Sequence, residues 1–375
     1  MSSQSVAIIG AGLSGLVLAR ILQLHGITAT VYESDATDDV RRQGGSLDIH
    51  EESGQVALRE AGLYEEFRRN THPEAEHVRV LDKSAHVFLD AGGGGGRPEI
   101  DRTVLRRLLI NSLDPGRIRW GHKVTAVSTR ADGRHQVTFA DGSSTAADLL
   151  VGADGTWSKV RALLSAATPE YCGISHLEIH LPDARSRHPE LAEIVGPGML
   201  FALSDNKGML GHGCGDIELG VSLRVGQDWL TAGGVDWTDP AAARAALLAE
   251  FADWSTDLTD LIRHCSDTIT PRQIFALPAG HRWSRVPGVT LVGDAAHVMS
   301  PYAGEGANLA LLDGAELALA LVEHPDDVET ALAKYETAMF PRAEAAAAMS
   351  AQGLDMCFSA TAPREIVGFF AGPRG

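Results

Sequence analysis

Basic residues are the first shortage. Against Asp+Glu 49 the 375-residue chain sets only Lys+Arg 32, so its formal charge is −17. A surface that acidic repels polyphosphate, which excludes a general nucleic-acid binder. Cysteine is scarce as well, with four thiols scattered at Cys172, Cys214, Cys265 and Cys357. No C-x-x-C pair exists, so zinc-ribbon, thioredoxin-type and disulfide-reductase chemistry is excluded, and the density is too low for a secreted disulfide framework. Long apolar runs are missing too. The stretch from Val6 is broken by Gly10, Gly12, Gly15 and Arg20, which fits neither a signal peptide nor a membrane span. A cytoplasmic protein without stable membrane insertion is expected. Glycine is the exception, at 40 residues of 375 against an average usage of ~7%.

Where the glycines fall carries the argument. Val6 to Ile9 is a short apolar run, Gly10-Ala11-Gly12-Leu13-Ser14-Gly15 follows, and Leu16 to Leu24 continues with helical periodicity. Gly26 stops that helix, and Thr28 to Glu33 reads as a second strand, completing one βαβ unit. The G-x-G-x-x-G of Gly10, Gly12 and Gly15 permits a tight strand-to-helix turn and lets a pyrophosphate approach the helix N-terminus beside Leu13 and Ser14. Glu33 ends the second strand, where a carboxylate accepts from a ribose 2′-OH and disfavours a 2′-phosphate. That points to FAD or NAD here rather than NADP; the bland alternative is a purely structural turn.

Two further buried strands end alike. Leu149 to Val151 enters Gly152-Ala153-Asp154-Gly155, and Val289 to Val292 enters Gly293-Asp294-Ala295-Ala296-His297, followed by Pro301, Gly304 and Gly306. A carboxylate at a strand end, then a glycine-rich helix start, suits the ribityl hydroxyls of a flavin and turns backbone N–H groups toward its ring. The expected organisation is α/β. A Rossmann-like FAD-binding domain (GR2-type, 1–170 plus 271–325) takes an inserted β-sheet substrate domain (171–270) and a C-terminal helix bridging the domains (326–375). Gly92 to Gly96 reads as a flexible surface loop. No metal is expected: His176 and His180 stand four apart on a strand-like segment, ~13 Å between Cα atoms.

These motifs, in this order and spacing, resemble the single-component (class A) flavoprotein aromatic hydroxylases. The resemblance implies that the first motif binds the ADP part of FAD. Asp154-Gly155 would lie near both FAD and a transient NADPH or NADH, and Gly293-Asp294 would hold the ribityl chain. Other segments are similar to the tetracycline-inactivating flavin monooxygenases: Arg41, Gly44 to His50, Ser53-Gly54-Gln55, Pro98 to Arg102, Phe251-x-Asp253-Trp254, and Tyr302 to Asn308. By that likeness FAD contacts extend to Gly45, Asp48, Arg102, Arg106, Pro301, Gly304, Gly306, Ala307 and Asn308, with Arg41 where NADPH approaches. In so acidic a chain, anionic cofactors need local positive charge, expected from Arg41, Arg102, Arg106 and Arg161.

One departure stands out. Where the tetracycline-inactivating enzymes present a His and, two residues on, a Gly to the antibiotic, this chain has Glu218-Leu219-Gly220. His176 stands where the neighbouring strand has a Gln. This argues against tetracycline itself as the substrate. Substrate contacts are expected from His176, Glu218, Gly220, Pro301, Ala303 and Gly304. No side chain is assigned as catalytic, because the flavin supplies the reactivity; His50 and His297 read as structural hydrogen-bonders. The expected function is a monomeric FAD-dependent monooxygenase using NADPH or NADH and O2. It would hydroxylate an aromatic or polyketide-like molecule through a flavin C4a-hydroperoxide, in antibiotic inactivation or natural-product tailoring. The alternative is an FAD-dependent oxidoreductase of the same superfamily that does not oxygenate.

Overall fold

In a computed structural model of the chain, which describes residues 5–38, 45–92, 95–213 and 215–371, the run Val6–Ile9 is the central strand of a five-stranded sheet. Its order is Val289–Leu291, Leu149–Gly152, Val6–Ile9, Ala29–Tyr32, Ile118–Arg119, and every pairing is parallel. Val6–Ile9, Leu149–Gly152 and Val289–Leu291 are buried throughout, which is why they read as continuous apolar runs rather than alternating ones. The helix Leu13–Leu24 packs closely against the helix Glu305–Glu323. The contact needs a glycine: a Cβ on Gly314 would fall 2.4 Å from the Ser14 carbonyl oxygen. All three glycine-rich turns leave the carboxyl ends of parallel strands, the edge where open α/β sheets form their ligand crevice.

A second, seven-stranded sheet covers that edge. Its order is Thr270–Ala276, Glu170–Leu181, Ile217–Arg224, Lys207–His212, Met199–Ser204, Val78–Leu81, Val87–Ala91. The helices Pro240–Glu250 and Thr256–Arg263 bury one face with Leu247, Leu258 and Leu261 against Leu177, Leu219 and Val221. Two of its strands come from residues 78–91 and one edge strand runs to 276, so the sheet extends beyond the 171–270 segment expected to hold it. Val78–Leu81 joins by parallel pairing with Met199–Ser204, a partner more than a hundred residues away. Between the two sheets lies a short antiparallel ribbon, Ser46–Asp48 with Glu99–Asp101, which sets Asp48 opposite Glu99.

The C-terminal helix Val328–Cys357 is capped by Asp327, whose side chain accepts from the Thr330 N–H at 3.0 Å. Its first half buries Leu332, Tyr335 and Met339 in the core of the parallel sheet. Its last turn delivers Leu354, Cys357 and Phe358 to the free face of the seven-stranded sheet, beside Val80, Phe201 and Leu210. The helix therefore bridges the two bodies. Among the described residues no helix is long and apolar enough to cross a membrane. Within the glycine run, positions 93 and 94 lie outside the described residues; Gly96 accepts from Gln55 Nε2 at 3.1 Å.

Candidate functional site

The three glycines of the first turn have different surroundings. Gly10 has a φ of 109°, and a Cβ there would fall 2.2 Å from the Ala153 carbonyl oxygen. A Cβ on Gly15 would fall 2.2 Å from the Gly10 oxygen. Around Gly12, by contrast, nothing lies within 4 Å of that position. Gly10 and Gly15 thus let two strand ends and a helix close on one another, while Gly12 leaves an open cradle at the helix start. No side chain caps that N-terminus, so the first-turn N–H groups around Leu13 and Ser14 remain for an anion. Glu33 sits at the rim, 8% exposed. It accepts from the Ala11 N–H at 2.7 Å and from the Asp35 N–H at 2.9 Å, locking the second strand end to the turn.

Two of the expected cations are braces. Arg106 is buried, donating from Nε to the Ala11 oxygen at 3.0 Å, with its guanidinium 3.8 Å from Asp35. Arg161 is buried too and ties two loops together, donating to the Ala295 oxygen at 3.0 Å and the Thr156 oxygen at 2.7 Å. Asp154 accepts from Ser158 Oγ at 2.6 Å and the Lys159 N–H at 2.7 Å, capping the turn Val160–Leu163. Burial raises its pKa and those bonds oppose the rise. Arg102 opens the helix Arg102–Asn111, and its N–H donates to the Gly45 oxygen at 3.1 Å. Arg41 and Gly44 lie outside the described residues.

The loop after Val289–Leu291 is held from beneath. Gly293, at φ 60°, donates its N–H to Asp313 at 2.9 Å. Asp313 is fully buried and also contacts His297 Nε2 at 2.6 Å and Arg342 at 3.1 Å, while Arg342 forks onto Glu316 at 2.8 and 2.7 Å. Burial alone would lower the His297 pKa, but the Asp313 carboxylate more than offsets it and the pKa is raised. Burial alone would raise Asp313, and His297 with Arg342 pulls it below the usual carboxylate range. With His297 protonated, two carboxylates face two cations. Asp294, one residue on from Gly293, is exposed to solvent. The protein packed around it nonetheless raises its pKa, a rise opposed by the charges of His297 and Arg102.

The third wall is the start of the helix Glu305–Glu323. Gly304, at φ 72°, would bring a Cβ to 3.4 Å from Asp48 Oδ1, and Gly306 again has nothing within 4 Å. Asn308 is fully buried and its side chain is fully used. It accepts from the His50 N–H at 2.8 Å and donates to the Asp48 and Gly304 oxygens at 2.8 and 3.2 Å. Pro301–Ala303 forms the turn before it, and Ala307 lies in its first turn. Two open glycine positions, an accessible carboxylate and two unblocked helix starts along one sheet edge fit an extended dinucleotide.

The seven-stranded sheet supplies the facing wall. His176 Nδ1 lies 2.8 Å from Ser222 Oγ, and burial pushes its pKa down to about 4, leaving it neutral. Its ring covers Gly220, where a Cβ would fall 1.6 Å from His176 Cε1; the two expected residues are brought together. Glu218 turns instead to the ribbon and accepts from the Gly45 N–H. The sequence reading passed over two charged residues: Asp313 beneath the Gly293 loop, and His212 on this wall, 2.9 Å from Glu99.

The sequence matches the family model described as FAD binding domain over residues 3–206 and 280–350. Monooxygenase asqM of Emericella nidulans is 30% identical, over 96% of this chain and 96% of its own. The structure of Klebsiella pneumoniae HpxO with FAD and uric acid matches with a TM-score of 0.81 at 21% identity, over 98% of this chain and 92% of that one. Tetracycline destructase Tet(51) matches with a TM-score of 0.72 at 21% identity, over 98% and 94%. The two solved structures share the fold, the family match spans most of the chain, and the chain belongs to the FAD binding domain family, that of the class A flavin hydroxylases.

Proposed function

We propose that the chain is an FAD-dependent monooxygenase that draws electrons from NADPH or NADH and hydroxylates an aromatic or polyketide-like small molecule. The observation that carries this reading is the convergence of three glycine-rich strand ends on one sheet edge, roofed by a second sheet. In this reading Gly10, Gly12, Leu13, Ser14, Gly15 and Glu33 hold the ADP part of FAD, and Gly293 and Asp294 the ribityl chain. Gly45, Asp48, Asp154, Arg102, Pro301, Gly304, Gly306 and Ala307 flank the ring system, with Arg106 and Asn308 bracing them. Bound FAD supplies electron transfer and the activation of dioxygen.

The chain's own residues do the rest. First-turn N–H groups beside Gly12 neutralise phosphate charge. Asp294 accepts from hydroxyl groups at the cleft floor. The 19-residue helix Glu305–Glu323 presents the positive end of its dipole to the ring and favours negative charge there. The seven-stranded sheet keeps water from the reacting atoms, and neutral His176 with Gly220, Pro301, Ala303 and Gly304 shapes the substrate pocket. The chain has a single G-x-G-x-x-G, so the reductant binds transiently at the same cleft, near Arg41. The reading takes the protein as a cytoplasmic monomer.

The test is direct. Purified protein takes up FAD, oxidises NADPH faster when one of a panel of phenols and polyketides is added, and yields a product heavier by one oxygen atom. Turnover without oxygen gain would favour the non-oxygenating oxidoreductase. Protein that stays colourless after FAD is added sinks the reading.

A further inference from the structure

His212 ends the strand Lys207–His212. Met209 on that strand faces the helix-covered core, and Leu210 faces the opposite side with the C-terminal helix. The two-residue period therefore puts His212 on the side away from the covering helices. Its register partners there are Met199, which is uncharged, and Glu218, which reaches the Gly45 N–H of the ribbon. The ribbon in turn presents Glu99, opposite Asp48.

Glu99 is 4% exposed, accepts from Ser46 Oγ at 2.6 Å and lies 2.9 Å from His212 Nδ1. That last contact is an ion-pair contact and not a well-formed hydrogen bond. His212 Nε2 has no partner among the described residues. A buried carboxylate thus sits against one ring nitrogen while the other has no partner among the described residues, the arrangement of an imidazole base beside a carboxylate. Burial alone would lower the His212 pKa; Glu99, with help from Asp48 and Glu218, raises it instead. Of the other groups on this wall, His176 has its pKa pushed down to about 4 by burial and is the poorer base near neutrality, and Glu218 is engaged by the Gly45 N–H.

We propose that His212, oriented by Glu99, is the base that takes the proton from a phenolic or enolic hydroxyl of the substrate. In the neutral form of the ring, with its proton on Nδ1 toward Glu99, the substrate O–H bond breaks, an N–H bond forms at Nε2, and the substrate remains as an oxyanion paired with the imidazolium. No oxidant or reductant is consumed. The oxyanion pushes electron density onto neighbouring carbons and so prepares them for electrophilic oxygen. The inference rests on the monooxygenase reading, which supplies the reason for a base at this wall.

FAD-loaded protein is titrated with 4-nitrophenol, whose visible spectrum separates phenol from phenolate; nitrobenzene is the matched compound without the hydroxyl. At a pH where the free probe is mostly neutral, wild type is expected to bind it as phenolate. His212→Gln binds it as phenol, roughly tenfold to a hundredfold more weakly, and binds nitrobenzene like wild type. His212→Ala regains the phenolate signal when imidazole is added, which a merely structural role would not produce. Glu99→Gln keeps the imidazole but weakens it as a base, and gives an intermediate phenolate fraction; it decides the matter if the His212 variants lose FAD. Equal phenolate fractions in wild type and His212→Gln overturn the role of His212 alone, as does wild type that binds neither probe or prefers nitrobenzene. Protein that takes up no FAD overturns the monooxygenase reading and, with it, this one.

Discussion

Gly10, Gly12 and Gly15 are one residue type placed for two reasons. At Gly10 and Gly15 a methyl group would strike backbone oxygens at 2.2 Å, and Gly10 also holds a positive φ. At Gly12 a methyl group meets no protein atom and enters the cradle instead. Gly15→Ala is therefore expected to destabilise the apoprotein by about 1–3 kcal/mol through overpacking, and Gly10→Ala by more, since backbone strain is added. Gly12→Ala leaves the apoprotein melting temperature closer to wild type than either, yet weakens FAD binding most per degree of stability lost. Thermal melts of apoprotein beside FAD titrations check this; a Gly12→Ala protein with wild-type FAD affinity contradicts it. Sequence spacing locates the turn but cannot rank its glycines, because the atom that Gly10 meets belongs to Ala153. Glu33 is similar. Its place at a strand end is legible, while its bond to the Ala11 N–H depends on how the turn closes. His212 carries no motif at all: Glu99 lies in a recognisable segment, but only the pairing of a distant strand brings the two together.

At the scale of elements, one carboxylate joins three of them. Asp313, midway along Glu305–Glu323, holds the Gly293 loop, the short helix Asp294–His297 and the C-terminal helix through Arg342. Periodicity foretells that Asp313 faces inward with its apolar neighbours, but not what waits there, since Gly293 and Arg342 come from elsewhere in the chain. Asp313→Asn leaves the buried His297 without its carboxylate partner and Arg342 with Glu316 alone, a loss of about 3–5 kcal/mol. The pH dependence follows from the shifts. Asp313, with its pKa lowered, adds stability above the ordinary carboxylate range and loses it as pH falls through the lowered value. His297, with its pKa raised, adds stability that is full below its ordinary value of 6.5 and is lost as pH rises through the raised one. The pair is thus strongest in the window between them. Melting temperature against pH should show an alkaline decline in wild type that is flatter in Asp313→Asn; parallel curves would remove the pair from the account.

The whole molecule is woven rather than strung. An alternation of faces tells a strand which side to bury, not which partner to join, so the α/β order of the parallel sheet was legible while the recruitment of residues 78–91 was not. The seven-stranded sheet takes two strands from before the Leu149–Gly152 strand of the parallel sheet and closes its free face with Leu354 and Phe358 from the C-terminal helix. The parallel sheet in turn takes Val289–Leu291 from after the last strand of the seven-stranded sheet. Residues 171–270 expressed alone would therefore expose the backbone edge of Met199–Ser204, lose most of the Thr270–Ala276 strand that pairs with Glu170–Leu181, and uncover apolar surface on both faces. Such a fragment is expected to aggregate or show no cooperative melt by circular dichroism, whereas the intact chain unfolds in one calorimetric transition. A fragment that folds alone with its own sharp transition would mean that the cleft joins two independent bodies. If instead both sheets fold together, the cradle at Gly12 and the wall bearing His212 are fixed relative to each other before any ligand arrives, and binding need not supply the energy to align them.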